Sequence, residues 1–131
     1  SYYHKDLLKI RLLYDGGYYS QALILLESLD VATLKTTDLK LEYYYRYGRT
    51  YQELEDYNNA LVWLKKAMVT GASSKRYFPR KSALESGVIY SELKNKERAK
   101  KMLTKAIDSY DSSEEHEKSI KQQAASLRSA L

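Results

Sequence analysis

The chain contains no cysteine, which excludes disulfides, thiolate metal sites and cysteine nucleophiles. It has one proline, Pro79, so little interrupts long helices along its 131 residues. Its five glycines build no phosphate cradle. "DGG" at 15–17 is a turn signal, and there is no G-x-G-x-x-G loop, Walker loop or G-x-S-x-G elbow. The two histidines, His4 and His116, lie far apart, and neither has a partner at H-x-x-x-H metal spacing. His116 sits amid Glu114, Glu115 and Glu117, the pattern of a solvated helix start. With these motifs missing, no enzyme, no metal and no cofactor are expected. Long apolar runs are missing too. The longest, "ALILL" at 22–26, falls far short of the roughly 18 residues a membrane span needs. No charged-then-apolar leader opens the chain, which leaves the cytoplasm as the default compartment. Phenylalanine occurs once, against 14 tyrosines.

The length suits one domain. Apolar content of 44% and charged content of 30% are ordinary for a soluble globular protein. A net charge of +5 serves solubility and permits an acidic partner.

The sequence repeats itself. "LEYYYRYGRTYQELEDYNNALVWLKKA" (41–67) aligns without a gap on "RKSALESGVIYSELKNKERAKKMLTKA" (80–106). Gly48, Tyr51, Leu54, Ala60, Leu64 and Ala67 meet Gly87, Tyr90, Leu93, Ala99, Leu103 and Ala106, each pair 39 residues apart. A fainter copy, "LLYDGGYYSQALILLESL" (12–29), aligns at a spacing of 38, with Ile10 where the glycine would stand. Each copy reads as two helices. Tyr44, Tyr47, Tyr51 and Leu54 recur on one helical face, and Ala60, Leu64 and Ala67 form the face of the next helix. "LEDYNN" and "LKNKE" are the turns between them. Pro79 ends the polar connection "TGASSKRYF" and is expected at the first position of a helix. "SSEEHEKSIKQQAASLRSAL" (112–131) reads as a last helix, with Ser112 and Glu115 as a capping box and Ile120, Ala124, Leu127 and Leu131 as its apolar stripe.

A small residue in the first helix, with alanines 12 and 19 positions later, occurs twice in phase at Gly48/Ala60/Ala67 and Gly87/Ala99/Ala106. This pattern resembles the tetratricopeptide repeat family, in a long-period variant. The resemblance implies an all-α fold, a right-handed superhelix of antiparallel helix pairs with about seven helices. A single domain over 1–131 would hold repeats at about 2–30, 38–70 and 79–110 and a capping helix at about 113–130. The family's period is shorter, so extra residues are expected in the connections, and Glu55 and Asn95 stand where a turn glycine is common. Apolar residues on several faces of 2–14 suggest that the array continues upstream, with this chain a C-terminal piece of a longer one.

Carried over by position, the family's concave groove would be lined by Leu7, Leu8, Arg11 and Tyr14 in repeat one. Glu42, Tyr45, Arg46, Arg49 and Gln52 would line it in repeat two, and Lys81, Leu84, Glu85 and Val88 in repeat three. The expected binding residues are Tyr45, Arg46, Arg49, Lys81, Arg11 and Tyr14. They would hold a protein or peptide segment, acidic or extended, because arginine grips carboxylates bidentately and tyrosine offers rigid area with a polar tip. Of the family's carboxylate-clamp set only Lys81 matches, so a standard chaperone-tail clamp is not expected. Tyr44, Tyr47 and Tyr51 are expected in the core, Tyr43 at the periphery, and Trp63 between helices. Two alternatives stand beside this one. Lys96, Lys100, Lys101 and Lys105 would form a convex basic face for nucleic acid, although no aromatic interleaves them to stack bases. The array could also be a structural spacer within a larger protein.

Overall fold

The computed structural model describes residues 4–72, 77–108 and 115–131. Among these are seven α-helices and no strand: α1 Lys5–Asp15, α2 Tyr19–Ser28, α3 Thr37–Glu53, α4 Tyr57–Thr70, α5 Tyr77–Glu92, α6 Lys96–Asp108 and α7 Glu115–Ala130. A short 3-10 turn, Val31–Thr33, lies between α2 and α3. Successive helices pair as α1/α2, α3/α4 and α5/α6. The odd-numbered helices also touch each other in sequence, α1 on α3, α3 on α5 and α5 on α7, forming an inner row backed by α2, α4 and α6.

Local chemistry starts and stops these helices. The backbone N–H of Leu7 donates to His4 Nδ1 at 3.3 Å, and His4 Nε2 meets Thr33 Oγ1 at 2.7 Å. His4 is thus a cap that ties α1 to the 3-10 turn. Thr36, Asp56 and Asn95 accept from the N–H groups of Leu39, Asn59 and Arg98, satisfying orphan donors at the starts of α3, α4 and α6. Between the two helices of each pair the chain passes once through the left-handed region, at Gly17 (φ 82°), Glu55 (φ 59°) and Lys94 (φ 61°). Asn95 is therefore the cap of α6, and the glycine-favouring place in repeat three belongs to Lys94. Pro79 is the third residue of α5 and not the first. It remains in the first turn, where its missing N–H breaks no helical bond.

The helix crossings explain the small residues. A β-carbon on Gly48 would lie 2.7 Å from Leu64 Cγ, and one on Gly87 would lie 2.5 Å from Leu103 Cδ2. Only glycine lets α3 and α5 seat these leucines, which are buried together with Ala60, Ala67, Ala99 and Ala106. The core runs as a series of steps. Leu7, Ile10, Leu26, Leu39, Tyr43 and Tyr47 join α1, α2 and α3. Tyr45, Ala60, Leu64 and Ile89 join α3, α4 and α5. Met68, Ala83, Leu84, Leu103, Ile120 and Ala124 close the far end beneath α7. Each step contacts only its neighbours, as expected of stacked repeats.

Several placements differ from the sequence reading. Tyr43 is buried, and its hydroxyl donates to the Leu26 carbonyl at 3.3 Å. Leu7 and Leu84, expected in the groove, are core residues, because neighbouring elements lean over them. In α7, Ile120 and Ala124 are buried while Leu127 is exposed. Trp63 stacks on Tyr47 with ring centroids 3.9 Å apart and planes 6° from parallel, joining α4 to α3. The Ser112 cap and the His116 side chain lie outside the described residues.

A candidate binding wall on the inner helices

α3 turns Glu42, Arg46, Arg49 and Glu53 to one face, since residues at i, i+4, i+7 and i+11 share a helical side. α5 does the same with Tyr77, Lys81 and Glu85. Because α1, α3 and α5 lie side by side, these residues meet Tyr14 from α1.

Glu85 is the centre of the arrangement. It accepts from Arg49 Nη1 at 3.2 Å and Gln52 Nε2 at 3.1 Å, and its other oxygen lies 3.3 Å from Lys81 Nζ. Arg49 also donates to Gln52 and approaches Glu53 at 3.5 Å. Tyr14 reaches the same Glu53 oxygen at 3.5 Å. Arg46 approaches Glu42 at 3.5 Å through Nε, an ion-pair contact without hydrogen-bond geometry, so that buried Nε has no hydrogen-bond partner among the described residues. Its guanidinium lies 5.7 Å from the ring centroids of both Tyr14 and Tyr45. Three cations (Arg46, Arg49, Lys81) thus face three carboxylates (Glu42, Glu53, Glu85), all partly buried or at the rim. Among the described residues the wall is balanced in charge and linked across repeats.

Burial acts on the titrating groups. Removal from water pushes the Tyr14 phenol up to about 12, with Arg49 pulling it partly back. Burial raises Tyr45 and Tyr77 as well. For Arg49, burial disfavours the charge, but Glu85 and then Tyr45, Tyr14 and Glu53 outweigh it and hold the guanidinium above its usual range. All of these groups keep their ordinary charge states near neutrality, so none is poised to exchange a proton there.

The structure brings Tyr14, Arg46, Arg49 and Lys81 together. Tyr45 is a correction: it is only 5% exposed, its ring covered by Phe78 and Tyr77 at centroid distances of 5.1 and 6.5 Å. The first turn of α5 carries these two aromatics onto it, converting a groove position into a joint between repeats. Arg11 is exposed and makes no hydrogen bond or ion pair among the described residues. Sequence reasoning missed Glu53 and Tyr77. The spacing of Arg49 and Glu53, four apart on one helix, signals the first. Tyr77 carried no signal, since it read as loop. On the outer row, Lys96, Lys100, Lys101 and Lys105 are all exposed.

Among the described residues no cluster of His, Asp and Glu could hold a metal ion, and no helix is long and apolar enough to cross a membrane. No curated protein matches the chain. The family model described as tetratricopeptide repeat matches residues 41–68 and 81–112, the α3/α4 and α5/α6 pairs. Repeats of this family generally mediate protein–protein interaction as non-catalytic scaffolds. The glycine-seated crossings, the stacked helix pairs and these two matches agree: the α3/α4 and α5/α6 pairs are tetratricopeptide repeats.

Proposed function

We propose that the chain is a non-catalytic interaction module that holds a segment of a partner protein against its inner wall. What supports this is the convergence of Tyr14, Arg46, Arg49, Lys81 and Tyr77 from three helices onto one surface. Each cation there is already held by a carboxylate of the chain. A partner therefore competes for these contacts or extends them, and a matching pattern of donors and acceptors serves better than bulk acidity. Arg46 is the best-placed anchor. Two rings support it, and its carboxylate contact among the described residues, with Glu42, lacks hydrogen-bond geometry.

The test is affinity capture from a cell lysate with the original chain and with an Arg46→Ala/Lys81→Ala variant. Circular dichroism confirms that both are folded. A protein retained by the original and lost by the variant supports the inner wall. Identical retention by both rejects it, and retention of nothing favours a spacer within a larger protein.

A further inference from the structure

The outer row carries a second surface that the inner wall does not use. α4 and α6 flank a groove of about 610 Å³ floored by Ser86 and Tyr90 of α5. Its sides are apolar. Val62 and Val69 on α4 are 51% and 65% exposed, and Met102 of α6 lines the opposite side. Four basic side chains, Lys65, Arg98, Lys101 and Lys105, line the groove against one carboxylate, Glu97. Lys65 and Lys101 form no ion pair among the described residues. On the floor, Ser86 is 1% exposed and its hydroxyl has no hydrogen-bond partner among the described residues. A shallower recess along α6, sharing Lys101 and Met102, continues the surface toward Asp108.

Solvation accounts for exposed lysines but not for two exposed valines seven residues apart on the same helix between them. Exposed apolar surface with a charged rim marks an interaction site. Because both walls are helices, they offer no free backbone edge for an added strand, and a helix is the element that fits between helices. We propose that this outer groove docks an acidic amphipathic helix of a partner protein. Apolar side chains at i, i+3 and i+7 seat against Val62, Val69 and Met102. Carboxylates on its two flanks reach Lys65 on one side and Arg98 and Lys101 on the other. A nucleic acid would engage the lysines and leave the valines uncovered.

The probe is a fluorescein-labelled model helix with leucines at i, i+3 and i+7 and glutamates on both flanks. Two controls accompany it, one of the same composition reordered to remove the stripe and one with lysine replacing glutamate. Fluorescence anisotropy should show saturable binding of the first peptide, with the controls at least about tenfold weaker. Val62→Glu and Lys101→Glu, both at exposed positions, should each weaken binding about tenfold, while Arg46→Ala leaves it unchanged. Equal binding of the reordered peptide overturns the proposal. So does unchanged affinity in both groove variants, absence of saturable binding, or tighter binding of a labelled oligothymidine. Since Arg46 lies on the other row, failure here and failure of the inner-wall reading are told apart.

Discussion

Gly48 owes its role to Leu64. With Leu64 Cγ and Cδ2 both 2.7 Å from where a β-carbon would stand, and the Leu64 backbone N at 3.1 Å, the neighbour has little room to yield. Gly48→Leu should therefore lower stability by about 1–3 kcal/mol or more, read as a drop in the thermal midpoint. The buried tyrosines set the alkaline limit. Burial pushes Tyr14 and Tyr47 up to about 12, so the folded state favours the neutral phenol more than the unfolded chain does. That contribution is fully present below the ordinary tyrosine range near 10 and is lost as pH rises through the folded values. The melting temperature should fall as pH rises from about 10 to about 12, with tyrosinate absorbance lagging a model-peptide titration until unfolding.

Turns and caps act at the level of the element. Gly17, Glu55 and Lys94 occupy equivalent places, yet only the first has the residue that tolerates a positive φ without strain. Lys94→Gly should relieve that strain at the expense of some unfolded-state entropy. A net stabilisation of about 0.5–1 kcal/mol is expected, measured by urea unfolding, and a loss of stability would show that Lys94 is held by something other than its turn. α7 acts as a lid for repeat three through Ile120 and Ala124, which cover Leu84, Leu103 and Ala106. Ile120→Ala should cost about 2–4 kcal/mol, whereas Leu127→Ala, at a 40% exposed position, should change stability little. Equal effects from the two would mean that α7 packs in another register.

For the whole molecule, the stepped core predicts a gradient of protection. α3, α4 and α5 are packed on both sides by other helices, whereas α1 and α7 each close one end of the described array. Amide exchange should be slowest in α3–α5 and fastest in α1 and α7, and uniform protection would contradict a nearest-neighbour array. The two proposed surfaces lie on opposite rows. The inner wall is charge-balanced and cross-linked between repeats, while the outer groove is apolar with a basic rim. On these two proposals two partners bind at once, and the Arg46→Ala and Val62→Glu variants should affect them independently.

Spacing alone carried the fold. Small residues at 48, 60 and 67 recur 39 positions later because two helices can cross closely only where a β-carbon or a larger side chain is missing. That constraint is local and periodic, so it shows in one dimension. The positions of the inner-wall residues were partly legible, since the family's repeat, carried over by position, puts Arg46, Arg49 and Lys81 on the inner helices, where Glu85 contacts two of them. What tertiary structure decided was their state. The Arg49–Glu85 contact joins residues 36 positions apart, and it depends on how one repeat leans on the next. The same lean buries Tyr45 under Tyr77 and Phe78 and opens the outer groove over Ser86. That lean leaves no periodic signal in the sequence, so only the packed chain reveals which charges are paired, which ring is covered and which apolar surface is left in water.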